Sequence, residues 1–180
     1  MKKVLLSLLM VAGLGYAASA QTEGAVNKIS VGPDFALPIG KLADANNLGF
    51  GGSVQGELNV AKSLNLTGSA GYLSFSYKKE IKDAYKALVG SELKNDGIIP
   101  LKVGAKYYFG GNFYGAGEVG AAIATGEGSG TAFAYSPTLG ASFSVADKSS
   151  IDLGIRYEGW ARNGSSVSFI GIRAAFAFGL

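Results

Sequence analysis

The sequence contains neither cysteine nor histidine. Without cysteine there is no disulfide framework and no thiolate metal site. Without histidine, a Ser-His-Asp triad and a His-bound metal are both excluded. Charge is sparse: 16% of the residues are Asp, Glu, Lys or Arg, and no basic block stands out. The formal net charge of +3 falls to +1 once Lys2 and Lys3 are set aside, so a nucleic-acid partner is not indicated. Long apolar runs are also missing. After Leu14 nothing approaches the ~20 residues that a spanning helix requires. If this chain crosses a membrane, it does so with strands.

What is present begins with an export pattern. Lys2 and Lys3 form a short positive region, Val4 to Leu14 is almost unbroken apolar sequence, and Ala18-Ser19-Ala20 supplies small residues for a signal peptidase. The expected division is a signal peptide over 1–20, with Ala18 and Ala20 flanking the cleavage that leaves Gln21 first. The expected barrel domain is then 21–180. About 160 residues make a single domain by the usual length relation.

The remaining chain alternates with a period of two, which is the pattern of a strand with one apolar and one polar face. Leu101, Val103, Ala105, Tyr107 and Phe109 share one parity; Lys102, Gly104 and Lys106 share the other. Ile151, Leu153, Ile155 and Tyr157 alternate with Asp152, Gly154, Arg156 and Glu158. Ile170, Ile172, Ala174, Phe176 and Phe178 alternate with Gly171, Arg173, Ala175 and Ala177. Five further segments, around Ile29–Leu37, Phe50–Val60, Leu64–Tyr72, Phe113–Ile123 and Phe133–Val145, follow the same rule and bring the count to eight. Pro33 and Pro137 each remove a ladder hydrogen bond, so a bulge or local break is expected at both.

Short links at Ala61–Ser63, Gly110–Asn112 and Ala146–Ser149 alternate with longer or more polar ones at Ile39–Asn47, Lys78–Asp96, Thr125–Gly130 and Ala161–Ser166. Short periplasmic turns and longer external loops are the habit of outer-membrane barrels. Within the second long link, Ile81, Tyr85, Leu88 and Val89 recur at helical spacing. Lys79–Lys94 is therefore read as a short amphipathic helix resting on the barrel rim, with a binding element or lid as the other reading. Gly126-Glu127-Gly128-Ser129-Gly130 lacks the Lys-Ser/Thr of a phosphate-binding loop and is read as an external loop.

A soluble lipocalin-like barrel has the same period with its faces reversed. Three features favour the membrane form. The polar parity is rich in Gly, Ser, Thr and Ala, whereas a water-facing surface carries more Lys and Glu. Aromatics collect at strand ends: Phe109, Phe113, Phe143, Phe176 and Phe178 at one, Tyr72, Tyr135 and Tyr157 at the other, as girdles do. The last strand, ending Phe176-Ala177-Phe178-Gly179-Leu180, is apolar. On these residues the chain resembles the small outer-membrane barrels of the OmpX/OmpA type over essentially its whole exported length. The expected fold is all-β: an eight-stranded antiparallel up-and-down transmembrane β-barrel with a short helix in the second external loop. The resemblance implies that the last strand is the signal read by the barrel-assembly machinery. Family members usually end in Phe, where this chain has Leu180.

The interior parity then collects Asp34, Glu57, Glu118, Asp152 and Glu158 against Lys102, Lys106, Arg156 and Arg173. An unpaired buried charge is costly, so these nine are expected to form a structural network of salt bridges rather than a polar conduit. Strand adjacency pairs Arg173 with Asp34, and Glu118 with Lys102 or Lys106. Trp160 and Phe169 have interior parity but flank the last link, which places them above the membrane; the alternative is that they cap the lumen.

No catalytic, metal or cofactor site is expected. Function falls between two classes. The first is a non-enzymatic cell-envelope barrel of the outer membrane, displaying loops for structural, adhesion or surface-binding work toward an extracellular ligand. The second is a porin-like or OmpW-like transport barrel for a small solute. Outer-membrane lipid and the assembly machinery are the partners implied in either case.

Overall fold

A computed structural model describes residues 26–93, 95, 97–126 and 130–180. The signal-peptide expectation, with Ala18, Ala20 and Gln21, lies outside these residues. Eight strands follow one another: β1 Lys28–Ile39, β2 Asn46–Ala61, β3 Leu64–Tyr77, β4 Gly97–Tyr108, β5 Phe113–Ala124, β6 Thr131–Ala146, β7 Ser149–Arg162 and β8 Ser165–Gly179. Two helices interrupt them, α1 at Lys41–Ala45 and α2 at Lys79–Val89. Each strand pairs antiparallel with the next, and β1 pairs with β8 from Lys28↔Gly179 to Ile39↔Ser168. Closure leaves no edge with unpaired N–H and C=O groups.

The two parities fall on opposite faces of this wall. Leu101, Ile155 and Ile172 point outward and are 44%, 60% and 40% exposed. Their neighbours Lys102 and Arg156 are buried inside. The face reversal of a soluble barrel is therefore absent: aliphatic side chains form the outer belt and charged ones fill the interior. Phe109, Phe113, Phe143, Phe176 and Phe178 are exposed near the end that carries the termini. Tyr72 and Tyr157 are exposed toward the far end, together with Phe50 and Phe133; Tyr135 is half-buried, lying across Gly159 on the outer wall.

Prolines mark the places where the ladder opens. Between β1 and β8 the pairing passes from Val31↔Phe176 to Asp34↔Arg173, skipping Gly32 and Pro33. Between β6 and β7 it passes from Tyr135↔Gly159 to Thr138↔Arg156, skipping Ser136 and Pro137. Pro100, which the sequence reading did not single out, does the same between β3 and β4, where Ala70↔Leu101 is followed by Leu73↔Ile98. Equal numbers of residues are skipped on both strands, so these are breaks and not bulges. On its other side each proline keeps its partner: Gly52, Ala122 and Gly117. The missing N–H explains the one-sided loss.

The connections correct the expected alternation at one point. β7 and β8 are joined not by a long link but by Asn163 and Gly164, both with positive φ (50° and 77°). Asn-Gly is the favoured pair for a two-residue hairpin turn, because both positions need the left-handed region. The signal lay in the sequence and was masked by the polar residues around it. The helix in the second long link is shorter than expected, ending at Gly90 in the left-handed conformation. The first long link contains α1, whose five residues are too few to display a helical period in the sequence.

Candidate functional site

The lumen is the region where chemistry-bearing side chains converge, and it is filled from one end to the other. Nearest the termini, Lys106 on β4 reaches Glu57 on β2 and Asp152 on β7, both at 2.7 Å. Its ammonium also sits 3.9 Å from the ring centroid of Tyr114. Tyr114 Oη donates to Asp152 Oδ1 at 2.6 Å, and Tyr108 Oη donates to Glu57 Oε2 at 3.1 Å. The Tyr114 ring fits because Gly140 and Gly154, cross-strand partners on β6 and β7, carry no Cβ beneath it. A Cβ at Gly140 would stand 2.3 Å from the tyrosine ring. Asn65 Nδ2 donates to Glu57 at 2.8 Å, so that carboxylate is surrounded by donors.

Midway along the barrel, Arg156 bridges two acids. Its Nη1 meets Asp34 Oδ1 at 2.5 Å and its Nε meets Glu158 Oε2 at 2.7 Å. Lys102 reaches the same Glu158 oxygen at 2.8 Å and Glu118 at 3.8 Å. Gln55 and Thr67 each donate to Glu118 Oε1 at 3.1 Å. Arg173 does not pair with Asp34, although the two are register partners across the seam. Its Nε donates to Ser53 Oγ at 2.8 Å, and Ser53 in turn donates to Asp34 Oδ2 at 2.5 Å. Arg156 has taken the carboxylate that strand adjacency assigned to Arg173. An eight-stranded lumen is narrow enough for side chains to reach across it, so partners need not be neighbours along the wall.

Toward the far end the lining turns apolar. Phe75, Trp160 and Phe169 pack edge-to-face, with ring centroids 5.0–5.9 Å apart. Leu73, Ala36, Ala122 and Ala134 complete this cluster, and Leu42 of α1 leans on it. Phe169 is fully buried. Trp160 and Phe169 thus close the lumen from within instead of standing above the membrane. Glu158 joins this plug to the charges below, accepting a hydrogen bond from Trp160 Nε1 at 2.9 Å.

The eight acids and bases from Asp34 to Glu158 in the expected set are buried, and Arg173 is half-buried. The reading missed Lys28, which is buried at the start of β1 and donates to Tyr108 Oη at 3.1 Å. Lys28 shares parity with Ser30 and Asp34, but it falls one residue before the first alternating position, so the pattern did not reach it. With Lys28 the interior holds five acids and five bases among the described residues. Phe75 was missed because Leu73 and Phe75 reverse the polarity of their parity on β3. A void of about 50 Å³ remains beside Lys102, Glu118 and Arg173, room for several water molecules.

No family profile and no curated protein sequence matches the chain. Solved structures do match by shape. Neisserial surface protein A superposes with TM-score 0.62 at 13% identity, covering 86% of this chain and 97% of its own. The attachment invasion locus protein Ail of Yersinia pestis gives 0.53 at 14% identity, over 86% and 99%. This chain has the fold of the small eight-stranded outer-membrane barrels. A third such barrel, OprG from Pseudomonas aeruginosa, gives 0.59 at 11% identity over 90% and 99%. At these identities the likeness is one of fold alone.

Proposed function

We propose that the protein is an integral outer-membrane barrel with a closed lumen, exported by its N-terminal signal peptide and working through its surface rather than through a pore or a reaction. The filled interior carries this reading. Two ion-pair networks and an aromatic plug occupy successive levels, and Lys102, Lys106 and Arg156 are each matched by carboxylates at 2.5–2.8 Å. Carboxylates engaged in this way are poorly placed for acid–base work on a substrate. The outer belt of aliphatic side chains between two aromatic rims suits hydrocarbon and its interfaces. Outer-membrane lipid and the barrel-assembly machinery are then its obligatory partners, and the loops at the far end face the outside. Display of loops on a rigid wall fits attachment, the work named for the similar Ail protein, which has also been crystallised with the heparin analogue sucrose octasulfate.

Planar-bilayer recording tests the closed lumen. The purified protein should insert without steady conductance. Replacing Phe75, Trp160 and Phe169 by Ala should not open a path while the charge networks remain. Steady conductance in the unaltered protein, abolished by Lys102→Gln or Glu118→Gln, would establish the small-solute transport reading instead.

A further inference from the structure

The two helices of the far end differ in what they touch. α1 closes over the lumen: it packs against β1, β2 and β8, and Leu42 meets the aromatic plug. α2 has no such role, since the plug already closes the mouth beneath it. It buries none of its residues: Leu88 and Val89 are 86% and 57% exposed, Ile81 is 37% exposed and Tyr85 is half-buried. Ile81, Tyr85 and Leu88 lie on one face at spacings of four and three, with Val89 beside them. Lys79, Lys82 and Lys86 gather along one border of that face, while Glu80 and Asp83 fall on the opposite side of the helix. Lys82 Nζ donates to Ser76 Oγ at 3.3 Å. Ser76 has the parity of Tyr72 and Ser74, the outward parity of β3, so this contact draws the helix to the outer flank of the wall and away from its axis.

Resting on the membrane reading above, we propose that α2 is an interfacial anchor that lies in the headgroup layer of the outer leaflet. Its Ile81–Tyr85–Leu88 face enters the acyl boundary, and Lys79 and Lys86 meet anionic lipid phosphates, Lys86 exchanging for them its exposed ion pair with Glu92 at 3.3 Å. An exposed apolar stripe bordered by lysines is the composition of helices that lie in a membrane interface. Lysine stems cover apolar surface while their ammonium groups reach the phosphate level. The expected helix resting on the rim is thereby given a side, the lipid side.

The absence of cysteine makes the test clean, because one introduced thiol carries one environment-sensitive fluorophore. Leu88→Cys reports the apolar face, Asp83→Cys the opposite face, and Leu101→Cys the belt. The labelled barrels are reconstituted in vesicles of mixed phosphatidylglycerol and phosphatidylcholine and quenched with acrylamide. The Leu88 label should be blue-shifted and several-fold less quenched than the Asp83 label. That protection should shrink in pure phosphatidylcholine and when Lys79, Lys82 and Lys86 are changed to Gln. Equal quenching at Leu88 and Asp83, with Leu101 still protected, overturns the anchor and leaves the inserted barrel standing. Quenching at all three positions overturns the membrane reading and the anchor together. Protection at Leu88 that grows with protein density in the vesicle overturns the anchor in favour of contact between copies of the chain.

Discussion

Lys106 holds two buried carboxylates at once, and its loss strands both. Removing one partner of a buried pair costs about 3–5 kcal/mol, because the remaining charge has no water to turn to. Lys106→Met should lower the midpoint of urea unfolding in lipid vesicles by a corresponding amount. Arg173 differs. It is half-buried and bound to hydroxyl and carbonyl oxygens of Ser30 and Ser53, without a direct carboxylate partner. Arg173→Ala should cost about 1.5–2 kcal/mol, the lower end for hydrogen bonds made by a charged group. Equal losses for the two variants would contradict the partner assignment. The nine charges themselves were legible from parity alone, since a period of two places every second residue on the same side. Who pairs with whom was not, because reach across a narrow lumen depends on tilt and stagger, which no single strand encodes.

At the scale of the strand, the three one-sided ladder breaks have a direct test. Pro137 lies opposite Tyr157, where β6 and β7 lose contact for two residues. Pro137→Ala returns an N–H aimed at β7 and should add about 1 kcal/mol of stability. Hydrogen exchange followed by NMR should find the new amide as slow as its neighbours in β6. Exchange as rapid as that of the Ala146–Ser149 turn would show that something other than the missing donor opens this ladder. Strand positions were readable wherever apolar and polar residues alternate. They failed to predict α1, whose five residues are too few to display a helical period, and the tight Asn163-Gly164 turn, where surrounding polarity outweighed the dipeptide's own signal.

At the scale of the whole molecule, the face that meets lipid decides what substitutions are tolerated. Ile155 is among the most open side chains of the outer belt. A lysine placed at the bilayer midplane costs about 2–4 kcal/mol, falling toward the interfaces. Ile155→Lys should therefore lower the unfolding free energy in vesicles by that amount, while the same change at Phe143, near the terminal rim, should cost markedly less. A soluble barrel would show the opposite preference, with lysine at Ile155 neutral or helpful. Unfolding in vesicles followed by tryptophan emission of Trp160 reads both variants.

Alternation by itself determined the strand number, which parity is oily, and that the fold is a closed antiparallel barrel, because each rests on local geometry with a period of two and on the rule that lipid admits no open edge. Tertiary structure alone decided that Arg156 displaces Arg173 at Asp34, that Lys28 brings the interior to charge balance, and that Phe75, Trp160 and Phe169 meet to shut the far end. These are meetings between side chains as much as 122 residues apart in the chain. They depend on how strands stagger around a closed wall, a property that exists only after β1 has found β8.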